Sequence, residues 1–171
     1  MPDPLARAPL VARCVIPTAA GPMTALATER GLSALLFKGH RHHPDHHEAV
    51  PDTPGHPHLQ AARQWLARYW EGGNPSWTGL HLDWQGTAFQ AAVWRALLDI
   101  PLGQTCSYGD LAARLQPPSA PRATGGAIGR NPLAVLVPCH RVVGADGALT
   151  GYASGLAIKQ QLLRHEGVLP R

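Results

Sequence analysis

Residues 107–131 read SYGDLAARLQPPSAPRATGGAIGRN, two short helix-forming runs divided by a proline-bearing turn. Ser107 stands where an N-cap belongs, and Asp110 falls in the first turn, where a carboxylate complements the positive end of a helix. The second run begins near Ser119 and stops at Asn131-Pro132. Helix, turn and helix in this order form the skeleton of a helix-turn-helix. The second helix is unfavourable to build, because Gly125, Gly126 and Gly129 would each cost about 1 kcal/mol relative to alanine in a helix interior. Three readings are open. Another body approaches the backbone closely beside Arg122 and Arg130, or the glycines serve helix–helix packing, or the segment is an ordered loop.

Outward from this stretch the helical pattern continues. TAFQAAVWRALLDIP (87–101) opens with Thr87 and Gln90 in capping-box spacing, carries Phe89, Val93, Leu97 and Ile100 along one side, and stops at Pro101. SGLAIKQQLLRHEG (154–167) is an amphipathic helix closed by Gly167. The first half differs. CVIPTAAGPMTALATERGLSALLF (14–37) alternates short β-prone runs with Gly/Pro turns, as a small antiparallel sheet does. In LQAARQWLARYW (59–70), Leu59, Ala62, Leu66 and Tyr69 recur at helical spacing, and 72–86 reads as loop and a short strand. The fold class is therefore α+β in two domains. Residues 1–86 form a small antiparallel sheet with one helix, and 87–171 a mostly helical, winged helix-turn-helix-like domain.

At 171 residues, 44% hydrophobic and 15% charged, the chain is globular and large enough for one good core or two small ones. No apolar run approaches the roughly 20 residues that cross a membrane, and MPDPLARAPLVARC lacks a secretory apolar region, so a cytoplasmic location is expected. Cys14, Cys106 and Cys139 show no C-x-x-C spacing, which points to reduced thiols rather than a disulfide framework or a cysteine zinc site. Residues 1–86 hold seven Lys/Arg and seven Asp/Glu; residues 87–171 hold eight and four, so the whole surplus of +4 lies in the second half. Such a concentration favours a polyanionic partner.

In that half, AVLVPCHRVVG (134–144) ends an apolar run with a proline, then delivers Cys139, His140 and Arg141. Neighbouring side chains of a strand point to opposite faces, so Cys139 and His140 cooperate only if the chain turns there. A histidine within reach can take the thiol proton, and a carboxylate can orient the histidine. The second half has four carboxylates. Glu166 stands out because it sits at the negative end of the last helix, where an acid is unfavourable. A small buried hydrophobe is the plainer reading of a cysteine, and Cys14 and Cys106 receive it.

PCHRVV (138–143) resembles the active-site signature of the O6-alkylguanine-DNA alkyltransferases. TAFQAAVWRALLDIP, SYGDLAARL, RATGGAIGRNP and GYASGLAIKQQLLRHEG fall around it in family order and spacing, over roughly residues 86–167. The resemblance implies direct-reversal repair, in which Cys139 irreversibly accepts the alkyl group of O6-alkylguanine, and of O4-alkylthymine, once per protein. It implies that His140, through a water, is the base, that Glu166 orients His140, and that Asn131 holds the turn. Tyr108 would donate to guanine N3, and the Val142 carbonyl would accept from the exocyclic amine. Tyr152 and Ala153 would line the base, Ala153 through its backbone N–H. Arg122 would fill the place of the flipped nucleotide, with Tyr108, Gly109, Ala123, Gly126, Ala127 and Arg130 also on DNA in the minor groove. No cofactor and no metal are implied, and a monomer is expected, with cooperative assembly on DNA left open.

Residues 40–58 are polar and rich in histidine, with five between His40 and His47. Metal binding, a charge gain below pH ~6.5 with contact to DNA or to the second half, and a solvated mobile loop are the readings, the last being the simplest. Two other classes compete with alkyl transfer. A non-reacting lesion sensor of the same family lacks the cysteine, and Cys139 argues against it. A hydrolase built on Cys139, His140 and Glu166 would leave the helix-turn-helix without a purpose.

Overall fold

The computed structural model describes residues 7–44 and 46–171. The first six residues, which open the stretch read as lacking a secretory signal, and Asp45 of the histidine-rich segment lie outside the described residues. Strands β1 (Ala12–Ile16), β2 (Met23–Ala27) and β3 (Leu32–Phe37) form the expected antiparallel sheet in the order β1-β2-β3. Helix α1 (Pro57–Trp70) packs on it, burying Leu59, Ala62, Leu66 and Tyr69 as their spacing predicts, and Trp65 besides. All six β3 residues are buried. Leu35 and Phe37 enter the main core, while Ala34 and Leu36 meet Leu26 and Leu10 on the other face. The short strand expected within 72–86 is reduced to one bridge, Leu82 to Leu32.

The second half is helical: α2 (Ala88–Leu98), α3 (Tyr108–Arg114), α4 (Pro121–Gly129) and α5 (Leu156–His165). Two-residue strands β4 (Cys106–Ser107) and β5 (Val142–Val143) pair in parallel. The Thr87 capping box is complete, with Gln90 N donating to Thr87 Oγ1 at 3.1 Å and Thr87 N donating to Gln90 Oε1 at 3.0 Å. The inner face of α2 differs from the expected one at Phe89, which is 40% exposed. Trp94 is buried instead, and its Nε1 donates to the Ala127 carbonyl at 2.9 Å, tying α2 to α4. A buried indole needs such a partner, and only one side of α2 offers it.

Ser107 caps α3 as predicted, accepting from Asp110 N at 3.0 Å. Helix α4 starts at Pro121, two residues later than the sequence suggests, because a proline at the first position wastes no N–H, while Ala120 supplies no side-chain cap. Thr124, Ala127 and Ile128 are buried; Arg122, Ala123, Gly126 and Arg130 are exposed. A methyl group added at Gly126 or Gly129 would meet nothing within 4 Å, so those two glycines are not required by packing. At Gly125 it would lie 3.5 Å from the Tyr108 ring.

One contiguous core joins the halves, running from Leu35 and Leu59 to Trp94, Leu97, Leu133 and Leu162. The joint has backbone geometry. Leu35 N donates to Pro132 O at 2.8 Å and Ala134 N to Leu35 O at 2.9 Å, so residues 132–134 cover the outer edge of β3. An otherwise bare sheet edge thereby fixes the segment that leads to Cys139.

Candidate active site

Between Asn131 and Cys139 the apolar run folds into turns. The buried Asn131 brackets it, donating from Nδ2 to Val137 O at 2.8 Å and accepting from Leu133 N at Oδ1 at 3.0 Å. Inside the bracket, Leu136 N reaches Ala134 O at 2.9 Å, closing a three-residue turn about Val135 with φ 71. A β-branched residue rarely adopts that conformation, and it persists where surrounding bonds over-determine it. A second such turn follows about Pro138 (φ −82, ψ 62), closed by Cys139 N to Val137 O at 2.8 Å. The chain then enters a 3-10 turn over Cys139–Arg141, and the adjacent Cys139 and His140 are no longer on the opposite faces of a strand.

Glu166, the cap residue of α5, is the hub beneath this turn. His140 Nε2 lies 2.6 Å from Glu166 Oε1. Arg141 donates from Nε to Oε2 at 2.9 Å and from Nη2 to Oε1 at 3.0 Å, and anchors itself through Nη1 on Ile100 O at 2.7 Å. Tyr69, from α1, donates its hydroxyl to Oε1 at 2.9 Å. Burial alone would raise the Glu166 carboxyl, but the hydrogen bond from His140, with the hydrogen bonds and charge of Arg141, holds it at about 2. An ionised carboxylate only accepts, so His140 carries its proton on Nε2. Burial holds the imidazole neutral, outweighing the pull of Glu166. Its Nδ1 is buried and has no partner among the described residues. That nitrogen is an available base.

The Cys139 thiol is raised above its ordinary value by burial. The Asn131 amide and the Tyr152 hydroxyl, and then the Lys159 charge, pull it back only in part. The Tyr152 hydroxyl is buried and makes no hydrogen bond of good geometry to any described residue. Lys159 is fully buried and spends its ammonium on the carbonyls of Val142 (2.6 Å), Thr150 (2.9 Å) and Gly151 (3.4 Å). Burial lowers it to about 8.

Cys139 opens into a pocket of about 160 Å³ lined by Tyr108, Gly125, Ile128, Gly129, Gly151, Tyr152 and Ala153, with His40, Arg41 and His42 along one side. Of the expected site residues, Cys139, Tyr108, Tyr152 and Ala153 thus share one cavity, and His140, Glu166 and Asn131 lie behind it. The Val142 carbonyl already accepts from Lys159, which leaves it one lone pair. The Tyr108 hydroxyl makes two long contacts to Thr150, donating to its carbonyl at 3.4 Å and accepting from its Oγ1 at 3.5 Å. Gly109, Arg122, Ala123, Gly126 and Arg130 are exposed on α3 and α4. Ala127 is a correction: it is 5% exposed and faces the core, because α4 turns that side toward Trp94.

Sequence reading missed Tyr69, the role of Arg141, and Lys159. One signal was present for the last. Lys159, Leu162, Leu163 and Glu166 recur at i, i+3, i+4 and i+7, the spacing of a buried helix face. The histidine-rich segment also differs from a free loop, since its first residues wall the pocket. Among the described residues no three His, Cys, Asp or Glu side chains converge as a metal site would require.

Residues 88–168 match the family model described as 6-O-methylguanine DNA methyltransferase, DNA binding domain. A methylated-DNA–protein-cysteine methyltransferase of Methanosarcina acetivorans is 43% identical over 150 residues, covering 86% of this chain and 92% of that protein. Another, of Methanosarcina mazei, is 61% identical over 82 residues; that match spans 48% of this chain and about half (52%) of the relative. The fold agrees with a crystal structure of Mycobacterium tuberculosis OGT in complex with DNA, at TM-score 0.84 and 39% identity over 92% of this chain and 93% of that one. Together with the PCHRVV turn, these similarities mean that the chain belongs to the methylated-DNA–protein-cysteine methyltransferase family.

Proposed function

We propose that this protein repairs DNA by direct reversal, with Cys139 taking the alkyl group from O6-alkylguanine and keeping it. The partner is DNA. The observation that carries the reading is a buried Cys139 thiol on the wall of the pocket, followed directly in the turn by a His140 whose Nε2 is held by Glu166 and whose Nδ1 has no partner among the described residues. In the step, the Cys139 Sγ–alkyl carbon bond forms as the carbon–O6 bond breaks. The thiol proton leaves through a water to His140 Nδ1, and the guanine regains a proton at the ring, aided by the Tyr108 hydroxyl at N3. The thioether product has no base-labile bond, so each chain acts once.

The finer reading follows from the exposed face of α4. Arg122, Ala123, Gly126 and Arg130 lie together there, and the bare glycine surface suits a narrow groove. Arg122 takes the place of the extruded nucleotide, since a base within a duplex is out of reach of a thiol. The protein acts as a monomer, accepts O4-alkylthymine as well, and divides its labour at residues 86/87, with 1–86 supporting the transfer domain.

Cys139→Ser tests the reading. It is expected to abolish transfer while retaining affinity for a duplex that carries O6-methylguanine. Transfer by that variant, or loss of lesion binding with the fold intact, would contradict it. Arg122→Ala is expected to slow transfer from duplex more than from free O6-benzylguanine, because only the duplex requires extrusion.

A further inference from the structure

We propose that Arg41, carried by a strap of the first half, binds a backbone phosphate of the nucleotide whose base enters the Cys139 pocket. The proposal rests on the reading of Cys139 as the acceptor of an alkyl group from DNA.

The strap is built rather than loose. His40 N donates to Phe37 O at 3.1 Å, His42 N to His40 Nδ1 at 3.1 Å, and His43 Nε2 reaches Phe37 O at 3.1 Å. Arg41 N donates to the Ala153 carbonyl at 3.0 Å, which pins the strap to the segment that carries Tyr152. His40, Arg41 and His42 thereby line the same pocket as Gly125, Ile128 and Gly129 of α4. Cys139 is buried and Arg41 is exposed, so the thiol lies deep and the guanidinium at the rim.

An extruded nucleotide brings only its base inward; its phosphates stay at the rim. Among the described lining residues, Arg41 is the one permanent cation, and none is an acid. Burial, and then His43, His42 and Arg41, hold His40 down at about 4, so it adds no charge near neutrality. Burial, Arg130 and Arg41, in that order, also depress His42. Two guanidinium groups from the two halves of the chain, Arg41 and Arg130, therefore act on the same imidazole. Among the described residues neither has a carboxylate within 4 Å. A phosphate oxygen at the rim would meet this positive potential, which no carboxylate of a described residue offsets within 4 Å. Arginine suits it because its fork can bind phosphate oxygens in pairs.

The test is the salt dependence of binding. Each phosphate neutralised contributes about 0.9 to the slope of log K against log salt on duplex DNA. In a Cys139→Ser background, Arg41→Ala is expected to lower that slope by about 0.9 for a short duplex with one O6-methylguanine, and Arg41→Lys to retain it. With Cys139 intact, Arg41→Ala is expected to reduce the ratio of duplex to free O6-benzylguanine transfer rates by about tenfold at low salt, the free base having no phosphate. An unchanged slope would overturn the proposal. So would an equal loss on duplex and free base, which would mean that Arg41 shapes the pocket itself. If the unsubstituted protein takes up no methyl group, the underlying alkyl-transfer reading fails first, and that result is separable from either of the others.

Discussion

The Tyr69 hydroxyl donates to Glu166 Oε1 at 2.9 Å, the same oxygen that His140 Nε2 approaches at 2.6 Å. Ninety-seven residues separate the two partners in sequence. Helix α1 of the first half thus reaches into the group that orients the base, and it does so within the core, since Tyr69 is 1% exposed. Tyr69→Phe keeps the ring packing and removes only the donor. It is expected to cost about 1.5–3 kcal/mol, the range for a hydrogen bond to a charged group, measured by urea unfolding. Transfer by Tyr69→Phe is expected to slow as well, because one of the constraints on Glu166 is gone. A rate equal to that of the unsubstituted protein would show that Arg141 and His140 suffice to fix the carboxylate.

The charged cluster makes stability depend on acid. Glu166 titrates at about 2 in the folded protein, against 4.5 for an unperturbed carboxyl, so its folded value is depressed. Its contribution is fully present above pH ~4.5 and is lost as pH falls through about 2. Glu166→Gln removes that portion of the acid limb. It also leaves Arg141 as a buried cation without its partner, an expected cost of about 3–5 kcal/mol. Urea midpoints for both proteins between pH 5 and 2 check the two statements together, and parallel acid limbs would refute the assignment.

Lys159 acts at the opposite end of the scale. Burial lowers it from 10.5 to about 8, so between those values the unfolded chain binds more protons than the folded one. Stability from this group therefore rises with pH across that window. Lys159→Met is expected to lack the rise, and the difference in stability between it and the parent should grow from pH 8 to 10 in the parent's favour. A pH-independent difference would mean that Lys159 stays charged in the core.

These groups also show what can be read from sequence. The Thr87–Gln90 box, the Ser107 cap and the α1 face were legible because each depends on residues three or four apart in one helix. The turn at Cys139 was legible from its proline and from the demand that adjacent side chains cooperate. Tyr69 was visible as a core position but not as a donor to Glu166, since that pairing is decided by how α1 docks against α5. The burial of Trp94 was not legible for a similar reason: its indole N–H is satisfied by the Ala127 carbonyl of another helix, while Phe89 is left 40% exposed. Which reading of the histidine-rich segment holds at residues 40–43 is not legible locally, because Arg41 N is held by the Ala153 carbonyl, more than a hundred residues away.

Ala153 lines the pocket and contributes no side chain beyond a methyl. A bulky adduct should therefore fit. Ala153→Trp is expected to slow transfer from O6-benzylguanine in DNA more than tenfold relative to O6-methylguanine, with roughly 1.4 kcal/mol of discrimination as the threshold. Competition between the two duplexes for limiting protein reads this ratio directly. An unchanged ratio would place the adduct away from Ala153.

Intact-mass measurement after mixing the protein with an excess of duplex bearing one O6-methylguanine, followed by peptide mapping, tests the alkyl-acceptor role of Cys139 most directly. The expected result is one added methyl per chain, located on Cys139, with no further uptake however much substrate is supplied. Methyl on another residue, repeated turnover, or tight lesion-dependent binding with no added mass would contradict it.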